Sequence, residues 1–164
     1  MFHVSHAVLA AVANGETMKW TTNISPLIKE FELRKNPVII RVNKFDEKSA
    51  KEFQESVAQA HNTGQRVIPV VISSPGGQVY HLTSMLDAIE DSELPVATIA
   101  DGLAMSCGAV LLSAGSDGMR FATPNATIMV HDVSSMNWGK VEDLKTSAEE
   151  ADRLNNLIMG YMSR

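Results

Sequence analysis

Ser106 stands in Gly102-Leu-Ala-Met-Ser-Cys-Gly108-Ala109, a run of small residues where a strand pattern gives way to a helix pattern. Gly108 and Ala109 add little bulk, so the backbone can approach a ligand closely. The first N–H groups of a helix have no partner within the helix, and the positive end of its dipole lies with them. Aimed at a group on Ser106, they are the ingredients of an oxyanion hole. A second reading fits the same residues: a serine whose side chain simply caps the helix. The G-x-S-x-G elbow of α/β-hydrolases is not matched, because position 104 is Ala.

His131 closes the apolar run Ala126-Thr-Ile-Met-Val-His131, at the point where Asp132 begins a polar stretch. Ligands collect at the ends of parallel strands, and a serine nucleophile needs a base such as imidazole. The competing reading is a hydrogen-bonded structural histidine. Ser74-Pro-Gly-Gly77 lies between a strand pattern and a helix pattern, where paired glycines can expose a backbone N–H or let an extended chain lie alongside. It has neither a G-K-[ST] nor a G-x-G-x-x-G signature of phosphate binding. Cys107 reads as a small buried filler. His3 and His6 lie in a leader of weak pattern, while His61 and His81 read as surface positions on helices. No His pair has the spacing of a metal-binding helix, so neither a metal nor a cofactor is expected.

The elements that must position these groups follow from periodicity. Val38 to Val42 and Val67 to Ile72 read as strands, the second apolar enough to be covered on both faces despite Pro69. Glu47 to His61 reads as a helix, with Ala50, Phe53, Val57 and Ala60 on one face and Gly64 as its C-cap. Val79 to Ile89 is a second helix, and Pro95 to Ala100 a strand. Asp101 to Met105 reads as a small-residue turn, with a helix from Ser106 to Ala114 beyond it. Strands at Met119 to Ala122 and Ala126 to His131 precede a long helix over Val141 to Met162. Strands alternating with helices predict an α/β domain with a largely parallel sheet. It is expected over residues 37–164, preceded by an N-terminal arm over 1–36.

Composition narrows the classes. The chain is 45% hydrophobic and 20% charged, with a net charge of −5 and one cysteine. One cysteine excludes an internal disulfide. The acidic balance, with no basic cluster, argues against nucleic acid and anionic membranes. No apolar run approaches the roughly 18 residues of a membrane span. Ala7 to Ala13 mimics a signal cleavage region but has no Lys or Arg before it. A cytoplasmic protein is the expectation.

Three blocks, in order, resemble the ClpP family of self-compartmentalising serine proteases. Ile72-Ser-Ser-Pro-Gly-Gly77 resembles I-N-S-P-G-G. Gly102 to Gly115 resembles G-Q-A-A-S-M-G-A-x-L-L-x-A-G. Arg120 to His131 resembles R-x-x-L-P-N-S-x-x-M-I-H. The separations, 29 residues from Gly77 to Ser106 and 25 from Ser106 to His131, also match the family. The resemblance runs from Val38 to Met162 and is strongest from Ile72 to His131.

It implies the ClpP/crotonase spiral of βαβ units with a long C-terminal handle helix. Ser106 would be the nucleophile and His131 the general base, with the N–H groups of Gly77 and Cys107 as the oxyanion hole. Gly76, Gln78 and Val79, with the loop Asp132 to Gly139, would flank an extended unfolded polypeptide by strand addition. An AAA+ unfoldase would feed a homo-oligomer of two stacked heptameric rings, a tetradecamer. The last helix would join the rings, Leu154 and Ile158 meeting their counterparts in a facing copy.

The family's triad Asp comes well after the long helix, whereas this sequence stops at Arg164; Asp132 and Asp101 are the acidic groups nearest the motifs. The alternative expectation is therefore a catalytically weak or inactive structural or decoy subunit. A crotonase-like acyl-CoA enzyme is a third reading, disfavoured because such enzymes lack Ser and His at these positions.

Overall fold

The computed structural model describes residues 19–21, 30–32, 37–131 and 141–163, with side chains in 37–131 and 148–163. Two short strands, β1 (Lys19–Thr21) and β2 (Glu30–Glu32), pair antiparallel with Trp20 opposite Phe31. The sequence pattern assigned no strands there. The main unit then runs β3 (Ile40–Val42), α1 (Glu47–Thr63), β4 (Ile68–Ser74), α2 (Val79–Glu90), β5 (Val96–Met105), α3 (Cys107–Ser113), β6 (Arg120–Ala122), β7 (Thr127–Met129) and α4 (Val141–Met162).

The sheet order is β3-β4-β5-β6, with β7 also on β5, and every pairing in it is parallel. This is the α/β architecture that alternating strand and helix patterns predict. Side chains of a strand alternate between faces, and the core divides accordingly. Ile68, Val70 and Ile72 join a large cluster with residues from all four helices, while Val67 and Val71 join a smaller one with Ile99 and Phe121. Both faces of β4 are therefore apolar, which is why its sequence is nearly continuous in Val and Ile.

Pro69 is accommodated by register. Ile68 N–H donates to the Pro95 carbonyl on the β5 side, so position 69 turns its missing donor towards β3. That strand begins opposite only Val70.

Helix α1 starts on a capping box. Asp46 accepts from the Ser49 N–H at 2.8 Å, and Ser49 Oγ accepts from the Asp46 N–H at 2.9 Å. Gly64, at φ +71°, ends the helix in the left-handed region, as Asn62-Thr63-Gly64 predicts. Helix α4 is tied to the start of α2. Tyr80 O–H donates to Glu150 Oε1 at 2.9 Å, and Arg153 donates to both carboxylate oxygens at 2.7 Å. Arg153, and then the Tyr80 hydroxyl, hold the Glu150 carboxyl down at about 2.

Two sequence expectations need correction. Asp101 to Met105 is not a turn: β5 continues through it to Met105. The strand kinks at Gly102, whose φ is +80°. Before the kink Thr98 to Ala100 pair with β6, and after it Leu103 to Met105 pair with β7. Small residues looked like a loop, but they are what lets one strand serve two neighbours in succession.

The second concerns α4. Leu154 and Ile158, expected to meet a facing copy, are each only 6% exposed within their own chain, and Ile158 belongs to the large core cluster. Leu154 and Ile158 thus cover the protomer's own core, while among the described side chains of that helix Met159 is the exposed large apolar one. Leu154→Ala should accordingly destabilise the protomer itself, by about 2 to 5 kcal/mol. Chemical denaturation measures this, and an unchanged midpoint would mean the side chain is not core.

No helix among the described residues is long and apolar enough to cross a membrane.

Candidate active site

Three parallel strands end together, and each delivers one part of the site. β4 leads into Pro75-Gly76-Gly77, β5 into Ser106, and β7 into Val130-His131. The register Met105 opposite Met129 brings the last two ends side by side. The Ser106 N–H donates to the Met129 carbonyl at 2.8 Å, which pins the serine to the strand that carries the histidine.

Ser106 sits at φ +53°, ψ −120°, and among the described residues it is the only non-glycine residue with positive φ. Its carbonyl accepts from the N–H groups of Ala109 and Val110, opening α3, but its side chain makes no capping bond. The N-cap reading of the hydroxyl therefore fails. The backbone reverses sharply at the serine, the conformation of a nucleophile elbow, although the glycine pattern of that motif is absent. Ala104 substitutes for its first glycine, and Gly108 provides the room: a Cβ there would lie 3.3 Å from the Ser74 carbonyl oxygen and 3.8 Å from Ala104 Cβ.

Ser106 and His131 line one cavity of about 240 Å³, together with Pro75, Gly77, Val79, Cys107, Val110, Val130 and Ile158. Of the residues singled out from sequence, Ser106, His131, Gly77, Cys107 and Val79 thus converge. Gly76 lies against the serine from behind: at φ +112°, a Cβ on it would fall 2.8 Å from Ser106 Cβ and 3.3 Å from Ser106 Oγ. Gln78 does not line the cavity. Its N–H donates to the Phe45 carbonyl, and its carbonyl accepts from His81 and Leu82 in the first turn of α2.

Cys107 is buried, and burial pushes its thiol pKa up, so it is a poor thiolate. His61 is engaged by the Val57 carbonyl at 2.8 Å, and neither it nor His81 reaches the cavity. Asp101 does not line it either. Asp132, the loop to Gly139, and His3 and His6 lie outside the described residues.

Periodicity did not single out Val110, Val130 or Ile158 as cavity walls. Each was legible as apolar, but which surface it would face depends on tertiary packing. Phe45, which shapes the glycine turn through its backbone, carries no local signal, and Ser74, legible as part of Ser74-Pro-Gly-Gly77, gave no sign of the hydroxyl contacts it makes to Gly76.

The family model of Clp protease matches residues 21–164. The chain belongs to the Clp protease family. The match embraces every element that frames the cavity, and the parallel α/β architecture agrees with the ClpP fold. A relative named ATP-dependent Clp protease proteolytic subunit, from Deinococcus radiodurans, is 39% identical to the chain over 95 residues. That alignment covers 58% of this chain and 47% of the relative, so the chain spans about half the length of the curated relative it matches.

Proposed function

We propose that this Clp-family chain is a serine endopeptidase subunit that hydrolyses unfolded polypeptides through an acyl-enzyme. One observation carries the reading: a serine held in an elbow with its side chain uncapped shares a cavity with a histidine delivered by the adjacent parallel strand. In the proposed reaction, Ser106 Oγ attacks the peptide carbonyl carbon while His131 accepts its proton. The resulting oxyanion is received by the N–H groups of Gly77 and Cys107, the latter at the first position of α3, where the helix supplies no acceptor. His131 then returns the proton to the departing amine, and water repeats the sequence to release the acyl group.

Gly76, Gln78 and Val79 are proposed to flank the substrate chain. Because Gln78 has its backbone engaged, its contribution falls to its exposed side chain. Residues 1–36 are assigned to an N-terminal arm or axial segment, and 37–164 to the ClpP-like domain. The particle is proposed to be cytoplasmic, a homo-oligomer of stacked heptameric rings supplied by an AAA+ unfoldase, with ring contacts on the outer surface of α4.

The test is labelling of the wild-type protein with a fluorophosphonate, peptide mapping of the adduct, and degradation of an unfolded polypeptide. An adduct on Ser106 supports the reading; a protein that neither labels nor degrades refutes it in favour of a structural subunit. His131→Ala should slow both labelling and hydrolysis by about 10⁴-fold or more, since the hydroxyl loses its proton acceptor. Labelling at the wild-type rate would assign the base elsewhere.

A further inference from the structure

Resting on the serine-peptidase reading, we infer that the Cys107 side chain is a positioning residue that keeps the Gly77 N–H turned into the oxyanion hole. The reason lies in the peptide that carries this donor. It joins Gly76 to Gly77, and a Gly–Gly peptide can rotate at small cost because neither residue has a Cβ. A half-turn would present the Gly76 carbonyl oxygen where the N–H should be, replacing attraction for an oxyanion with repulsion.

The structure pins the peptides on either side. On one side the Gly76 N–H donates to Ser74 Oγ at 3.1 Å, and Ser74 is fully buried. On the other, the Gly77–Gln78 peptide is held at both ends. Its N–H donates to the Phe45 carbonyl at 3.0 Å, and its carbonyl accepts from the Cys107 thiol at 3.3 Å.

Phe45 also pairs with Gly77 as an isolated parallel bridge. It packs so close that a Cβ on Gly77 would lie 2.6 Å from the Phe45 carbonyl oxygen. Cys107 is 2% exposed, so the bond is shielded from water and is stronger than it would be at the surface. It is also the hydrogen bond that joins the β4–α2 turn to the residue following the nucleophile. Together with the Ser74 hydroxyl, which donates to the Gly76 carbonyl at 3.4 Å, this side chain sets the spacing of the two proposed donors, Gly77 N–H and its own backbone N–H. The pattern S-M-G places Met here, and a thioether cannot donate this bond.

The experiment compares assembled wild-type, Cys107→Ala and Cys107→Ser proteins. It separates the saturation constant of fluorophosphonate labelling from its limiting rate, and uses Ser106→Ala as the blank. Cys107→Ala should lower the limiting rate about tenfold with little change in the saturation constant, because the misplaced donor acts on the oxyanion. Cys107→Ser, which still donates, should recover most of that loss. An alanine variant as fast as wild type, or a serine variant as slow as alanine, overturns the inference.

Should Cys107→Ala fail to fold, the infrared S–H stretch of the wild-type protein decides the matter. With one cysteine in the chain the band is unambiguous. It should lie below that of the unfolded chain, and a band at the unfolded position overturns the bond. A wild-type protein that never labels refutes the catalytic reading and the role together, whereas normal labelling with an indifferent Cys107→Ala refutes the clamp alone.

Discussion

Ser106→Ala should carry no covalent adduct after exposure to a fluorophosphonate, and polypeptide hydrolysis should fall by about 10⁴- to 10⁶-fold. The fold should persist, because the hydroxyl removed makes no capping bond, and the N–H contact to Met129 and the carbonyl contacts to Ala109 and Val110 belong to the backbone. The thermal midpoint of the variant should therefore stay close to that of wild type while chemistry disappears. That separation is diagnostic. A serine serving only as a structural cap would show the reverse, with lowered stability and unchanged labelling. Intact-mass analysis checks the adduct, and a labelled Ser106→Ala protein would assign the nucleophile elsewhere.

Gly76→Ala should damage both rate and stability. The added methyl meets Ser106 Cβ at 2.8 Å and the Met105 carbonyl oxygen at 3.2 Å, on a backbone at φ +112° that side chains rarely adopt. Relief requires either the glycine turn or the serine to move. A displacement of about 1 Å between reacting groups costs on the order of 100-fold in rate. The strain itself should cost about 1 to 3 kcal/mol of stability.

Gly118→Ala provides the comparison. Its φ is +71°, but nothing lies within 4 Å of the added methyl. It should share the conformational penalty and leave labelling kinetics alone. Equal labelling rates in Gly76→Ala and wild type would mean the glycine turn does not abut the nucleophile.

Much of this arrangement is legible in the sequence, and the reasons are specific. The end of helix α1 was readable because its glycine stop is local chemistry, while the Asp46–Ser49 capping box at its start emerges from the structure. The two proposed catalytic side chains were readable because nucleophiles and bases belong at strand ends, and the chain places Ser106 and His131 there. Helix α4 was readable as a helix but not as a partner choice. A stripe with Leu154 and Ile158 shows that something must cover it, and periodicity does not say whether that is the same chain or another copy.

The extension of β5 was not readable for a different reason. Gly102 and its small neighbours are poor strand formers in isolation, and only tertiary pairing, with β7 over Leu103 to Met105 and with Ser74 of β4 at Ala104, gives them a ladder to join. The clamp on Gly77 by Phe45 was invisible because it is a backbone contact across 32 residues.

The backbone at Ser106 has a thermodynamic meaning of its own. A serine at φ +53° holds a conformation that costs of order 1 to 3 kcal/mol over an unstrained one, and glycine could hold it more cheaply. Stability alone would select glycine at this position, which has no hydroxyl to offer. The rest of the protomer carries that deficit through the two-sided packing of β4 and β5 and the Met129 contact beneath the turn. On the proposed reading the requirements of folding and of reactivity are opposed within a single residue, and a version of this protein optimised only for melting temperature would lose its proposed nucleophile first.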